Sequence, residues 1–165
     1  MNGKLKDTQK LIDRADKNLD RQLDWIARID SRMSFVTGID LAMLGALAAS
    51  ASTVSNWSWD TGGLGVLAAV LLAAVLVCIF TGFFPRTTSK NDSLLFFGTI
   101  ADKKIDQFES QWHQTTDEAY LNDLLAQTHI NAEIVCKKFH LLKNALILLL
   151  LAAIPWVGFI FFTKT

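Results

Sequence analysis

A chain of 165 residues that is 51% hydrophobic but only 19% charged, with its apolar residues gathered in blocks, is not patterned like a soluble enzyme domain. Sixteen Lys and Arg balance sixteen Asp and Glu, so the basic excess that marks a DNA or RNA partner is absent. The two cysteines, Cys78 and Cys136, fall in different environments and give no disulfide framework, which leaves both as free thiols.

From the N-terminus, Leu5, Ile12, Leu19, Ile26 and Met33 recur every seven residues, and Leu23 and Ile29 fill the same side. That stripe predicts one long amphipathic helix. No Pro or Gly interrupts residues 4–35, so the helix is expected to run straight into the first apolar stretch. More than thirty polar, helix-forming residues precede that stretch, which reads as mature protein and not as a cleaved signal.

Three apolar stretches, 35–53, 64–84 and 145–162, are each close to the ~20 residues that carry an α-helix across a ~30 Å hydrocarbon core. Within the first, Ser34, Gly38, Ala42, Gly45, Ala49 and Ser52 step along one face at three- and four-residue intervals. Small residues spaced in this way form a seam on which membrane helices approach closely, and a homo-oligomer is the expectation. Asp40 lies about two turns into the same span. A carboxylate there either meets headgroup water or belongs to a polar path or oligomer contact.

After the second span, Gly82 and Pro85 are expected to end the helix, with 86–92 a polar linker. The run Leu94, Leu95, Phe96, Phe97 and Ile100, followed by Phe108 and Trp112, is too short to span; it is either an interfacial helix or the base of a cytosolic bundle. Thr115 with Glu118 reads as a capping box that opens the next helix. Leu121, Leu125, Ala132, Val135, Phe139 and Leu142 trace its apolar face, unbroken until Pro155 deep in the third span.

Charge sets the topology. Residues 4–32 carry eight Lys and Arg whereas 51–63 carry none, and Arg86, Lys90, Lys103, Lys104, Lys137, Lys138 and Lys143 return the middle segment to the basic side. The N-terminus is therefore expected in the cytoplasm and the C-terminus outside, with Trp57, Trp59 and Trp156 in the outer aromatic belt. The fold class is all-α: an integral membrane protein with three transmembrane helices and a cytosolic helical stalk or bundle. Its parts are an N-terminal cytosolic amphipathic helix (1–33), a hairpin of two spans (34–84), a cytosolic helical segment (85–143), and a third span with a short outer tail (144–165).

His129, Glu133, Cys136 and His140 share one helical face but stretch over roughly 16 Å at the helical rise, so they cannot surround one ion, and no metal is expected. Lys137, Lys138 and Lys143 at one inner mouth, and Arg28 and Arg32 at the other, serve either lipid headgroups or a phosphate-bearing ligand. No phosphate loop, nucleophile elbow or convergent His and carboxylate cluster is present, so the chain reads as a non-enzyme without a cofactor.

The segment WIARIDSRMSFVTGIDLAMLGAL at 25–47 resembles the start of the membrane domain in Pycsar transmembrane effectors. Pro85, SLLFFGTI at 93–100, and then Gln127, His129, Ile134, Lys138, Phe139, Leu142 and Ala145 are similar to that family's second block leading into the last span. Asp30 and Arg32 match its Asp-x-Lys position, with Arg for the usual Lys, and Asp40 stands where Asn or Asp is common. The resemblance implies a bacterial antiphage effector of the inner membrane. A partner pyrimidine cyclase, acting through its diffusible product cCMP or cUMP, would activate it to impair that membrane and abort infection. Asp30, Arg32, His129 and Lys138 become candidate ligand or gating residues, Asp40 a candidate intramembrane polar residue, and Gly38, Ala42, Gly45 and Ala49 the candidate helix-packing seam. The competing expectation is a passive membrane-anchored scaffold whose helices recruit a cytosolic partner enzyme.

Overall fold

The structure, a computed structural model, describes residues 2–54, 57–84 and 92–164, with side chains described for 7–54, 57–84 and 92–163. Leu5, Pro85, Arg86 and Lys90, which entered the expectations above, lie outside these residues or side chains. The chain is 89% helical, with no strand among the described residues.

Helix α1 (Asn2–Ala51) runs for 50 residues, and Met33, Gly38 and Gly45 lie within it without a break. Its last carbonyls are satisfied locally: Ser52 Oγ donates to the Ala49 carbonyl at 2.7 Å and Thr53 Oγ1 to the Ser50 carbonyl at 2.8 Å. Helix α2 (Trp59–Phe83) opens on Ser58, whose hydroxyl accepts the Thr61 N–H at 3.1 Å, with Asp60 in the first turn beside the positive helix end. Two short helices follow, α3 (Phe97–Ala101) and α4 (Ile105–Gln114). Helix α5 (Asp117–Lys164) then runs for 48 residues, through both Asn144 and Pro155.

The N-cap of α5 is Thr116, not Thr115. Thr116 Oγ1 accepts the Ala119 N–H at 3.2 Å, whereas Thr115 closes α4 by donating to the Gln111 carbonyl at 2.7 Å. The acidic first turn of α5, Asp117 and Glu118, complements its dipole one residue later than the spacing implied.

Two compact units form. The first comprises Met1–Ala27 and Arg86–Cys136; the second comprises Arg28–Pro85 and Lys137–Thr165. In the first, Ile12, Ala15 and Leu124 are buried against Leu19, Leu95, Tyr120 and Leu121. The apolar run at 94–95 therefore serves as core of this unit: Leu94 is buried and Leu95 joins the cluster around Ile12. Two residues of the expected stripes face outward instead, Leu23 on α1 and Leu125 on α5. Gln127 and Thr128 take buried positions on α5, because they have hydrogen-bond partners there.

In the second unit, Ala68, Leu72, Val75, Ile79 and Gly82 form the buried face of α2 at alternating four- and three-residue steps. Leu47, Ala68 and Phe159 make one core cluster with Leu64 and Trp156 around it. Glycines make room for these contacts: a Cβ on Gly65 would sit 2.8 Å from the Phe159 ring, one on Gly158 3.3 Å from Leu64, and one on Gly82 2.5 Å from Met33 Cε. Here too one expected core residue is displaced, for Phe139 faces outward while its neighbour Lys138 is buried.

Three helices, α1, α2 and α5, are long and apolar enough to cross a membrane. Only 22%, 28% and 22% of their most apolar windows are buried, so most of that apolar surface, including Val66, Val70, Leu150 and Ile154, points outward. Such a surface requires lipid as its solvent. The chain is a membrane protein.

Candidate functional site

The second unit holds two polar features. At the first, Lys138 Nζ donates to Asp30 Oδ1 at 2.5 Å. The lysine side chain is only 7% exposed while the aspartate is 34% exposed, so a buried ammonium leans on a carboxylate that still reaches water. The Asp30 backbone is held as well, its carbonyl accepting from Ser34 Oγ at 3.0 Å. These two candidates come from positions 108 residues apart in the chain. Arg28, Arg32, Lys137 and Lys143 are exposed.

The second feature is Asp40. It is 0% exposed, and both carboxyl oxygens are buried without a hydrogen-bond partner. Contacts on either side fix its level. Met33 against Gly82 and Leu47 in the cluster with Ala68 place Asp40 opposite the middle of α2, near Val75. On α5 it falls between Lys138, which meets Asp30, and Trp156, whose Nε1–H donates to the Met43 carbonyl at 2.9 Å. Asp40 thus lies deep in the apolar unit.

The seam residues Gly38, Ala42, Gly45 and Ala49 are all exposed, and a Cβ built on Gly38 or Gly45 would meet nothing within 4 Å. The small-residue face is therefore not what joins the three spans of one chain. The spans pack through the opposite side of α1, which carries Met33, Val36, Asp40 and Leu47.

The first unit contains a buried polar hub that periodicity gives no reason to expect. Ser93 Oγ donates to Asp123 Oδ2 at 3.0 Å and accepts from the N–H groups of Leu95 and Phe96, each at 3.1 Å, and from Gln127 Nε2 at 3.0 Å. Asp123 Oδ2 also accepts the Leu94 N–H at 2.8 Å. Ser93 and Gln127 both stand among the residues that carry the family resemblance; Asp123 does not. The hub fixes the start of α3 to α5.

A cleft of about 260 Å³ opens beside this hub, lined by Leu94, Trp112, Thr115, Thr116, Asp117 and Tyr120. Trp112 and Tyr120 meet edge to face at 5.9 Å. Burial, and after it the charges of Asp16 and Asp123, push the Tyr120 phenol above its ordinary value. Asp117 is the charged residue of the lining, at the N-terminal end of α5. The last candidate, His129, is exposed, with Nδ1 3.8 Å from Glu133 Oε1.

The model of the Pycsar effector protein domain matches residues 14–163. The chain is also similar to the Pycsar effector protein GmPycTM of Gulbenkiania mobilis, 24% identical over 177 aligned positions that cover 90% of each protein. No solved structure matches it.

Proposed function

The chain belongs to the Pycsar effector protein family, a group of antiviral-defence membrane proteins that is not a known enzyme class, and from that premise we propose that it responds to a cyclic pyrimidine mononucleotide by impairing the bacterial inner membrane. The observation that carries this reading is the continuity of α1 and α5. Each is one unbroken helix that supplies residues both to the polar unit and to the apolar unit. A ligand that favours one arrangement of the polar unit shifts an equilibrium, and helices without a hinge at Met33 or Asn144 carry the shift to the spans.

Within this reading the N-terminus is cytoplasmic, and the pyrimidine cyclase acts through its diffusible product, cCMP or cUMP. Lys138 and Asp30 are the groups at which an anion competes most directly, since the ammonium has three donors, of which Asp30 takes one. The outward seam of Gly38, Ala42, Gly45 and Ala49 is the surface on which copies of the chain self-associate, as its lack of any use inside one chain supports.

The test is membrane potential and dye uptake in cells expressing the chain, with and without cCMP or cUMP. Nucleotide-dependent depolarisation is expected. Equal potentials under all three conditions would overturn the reading.

A further inference from the structure

Asp40 is fully buried among the packed spans of the second unit, yet neither of its carboxyl oxygens has a hydrogen-bond partner there. The middle stretches of α2 and α5 that face it carry only apolar side chains. On α5, residues 145–154 are Ala, Leu and Ile throughout, and on α2, residues 64–77 are Gly, Ala, Val and Leu throughout. The nearest hydroxyl along α1, Thr37, already donates to the Met33 carbonyl at 2.8 Å. Among the described residues both carboxyl oxygens of Asp40 are thus left without a hydrogen-bond partner.

A group buried in this way destabilises the arrangement that buries it, and any arrangement that admits water removes the penalty. Around Asp40, α1 meets α5 through apolar packing, with Leu47 and Phe159 in one cluster. One polar contact closes each end, Lys138 to Asp30 on one side and Trp156 to the Met43 carbonyl on the other. Between them the α5 surface is alkyl.

We propose that parting of α1 from α5 opens a water-filled passage lined by Asp40, and that this carboxylate makes the lesion pass monovalent cations in preference to anions. The inference rests on the membrane-impairing reading and adds the class of ion. In water an aspartate is ionised at neutral pH, and carboxylates lining a narrow aqueous path attract cations and repel anions. Lys138 does not offset this, because Asp30 beside it carries the opposite charge.

The experiment uses the full-length chain in planar lipid bilayers under a tenfold KCl gradient, without nucleotide and with cCMP or cUMP. The wild type is expected to reverse toward the potassium equilibrium value. Asp40→Asn, which is close to isosteric, should bring the reversal toward zero, and Asp40→Glu should keep the cation preference. A merely structural role for Asp40 would change how often current appears but not the ratio of potassium to chloride permeability. Conductance without cation preference, or a preference unchanged in Asp40→Asn, overturns this inference alone. Absence of conductance in the wild type under every condition overturns the membrane-impairing reading and the inference together.

Discussion

Replacing Asp30 with Asn should destabilise the second unit far more than replacing Lys138 with Met, although each removes the same ion pair. Breaking a fully buried pair by deleting one member costs about 3–5 kcal/mol, because the charge left behind has no compensation. Asp30→Asn leaves an ammonium that is 93% buried by side-chain area facing a weaker, neutral acceptor. One third of the Asp30 side chain reaches solvent, so water partly relieves that charge, and we expect a loss of about 2–3 kcal/mol. Lys138→Met leaves a carboxylate that already contacts water and fills the buried volume with an unbranched apolar chain, for which a loss of about 1 kcal/mol or less is expected. The two variants should then differ by a factor of at least roughly 5 to 30 in unfolding constant. Circular dichroism during SDS titration of the protein in mild detergent micelles reads this difference, and the double variant should resemble Lys138→Met. Equal losses, or a larger loss in Lys138→Met, would refute the assignment of Lys138 as the buried partner.

Ser93→Ala removes one donor and the acceptor of three hydrogen bonds at a buried site, and should cost about 2–4 kcal/mol, read as faster amide exchange across 93–101 than in a Thr115→Ala control. Tyr120 is the one tyrosine of the chain, so absorbance at alkaline pH reports it alone, with an expected midpoint above 10 that Asp123→Asn lowers in part. A raised phenol favours the fold: its contribution is complete below pH 10 and is lost as pH rises through the folded-state value, so a midpoint at or below 10 would contradict the buried setting. Gly45→Leu fills open space on the outward seam; crosslinked oligomers should diminish while thermal stability of the single chain is unchanged, and an unaltered ladder would place self-association elsewhere.

The three spans and the length of the N-terminal helix were legible because lipid-crossing helices announce themselves by uninterrupted apolar runs, and because nothing in residues 4–35 breaks a helix. The inward face of α5 was not. Periodicity assigns apolar residues to the inside, whereas Gln127, Thr128 and Lys138 are buried there and Leu125 and Phe139 are not. Each of the three polar residues is answered by a partner, Ser93, the Leu124 carbonyl and Asp30, and two of those partners are remote in sequence. Asp123 is silent in the sequence for the same reason, since its role lies in two contacts made about thirty positions away. The depth of Asp40 depends on how far α2 and α5 extend on either side of it, which neighbouring residues of α1 do not disclose.

The glycine sockets of the apolar unit differ in what fills them. At one end a phenyl ring, Phe159, abuts Gly65, and Leu64 abuts Gly158 in return, so α2 and α5 each intrude on a gap in the other. Planar and branched groups held reciprocally resist both sliding and separation. At the other end the gap at Gly82 is filled by the tip of Met33, an unbranched thioether that reshapes at little cost. The packing of the trio is thus shape-specific where Phe159 sits and adaptable where Met33 does, so at the Met33 end it is the Lys138–Asp30 pair more than side-chain fit that keeps α1 in register.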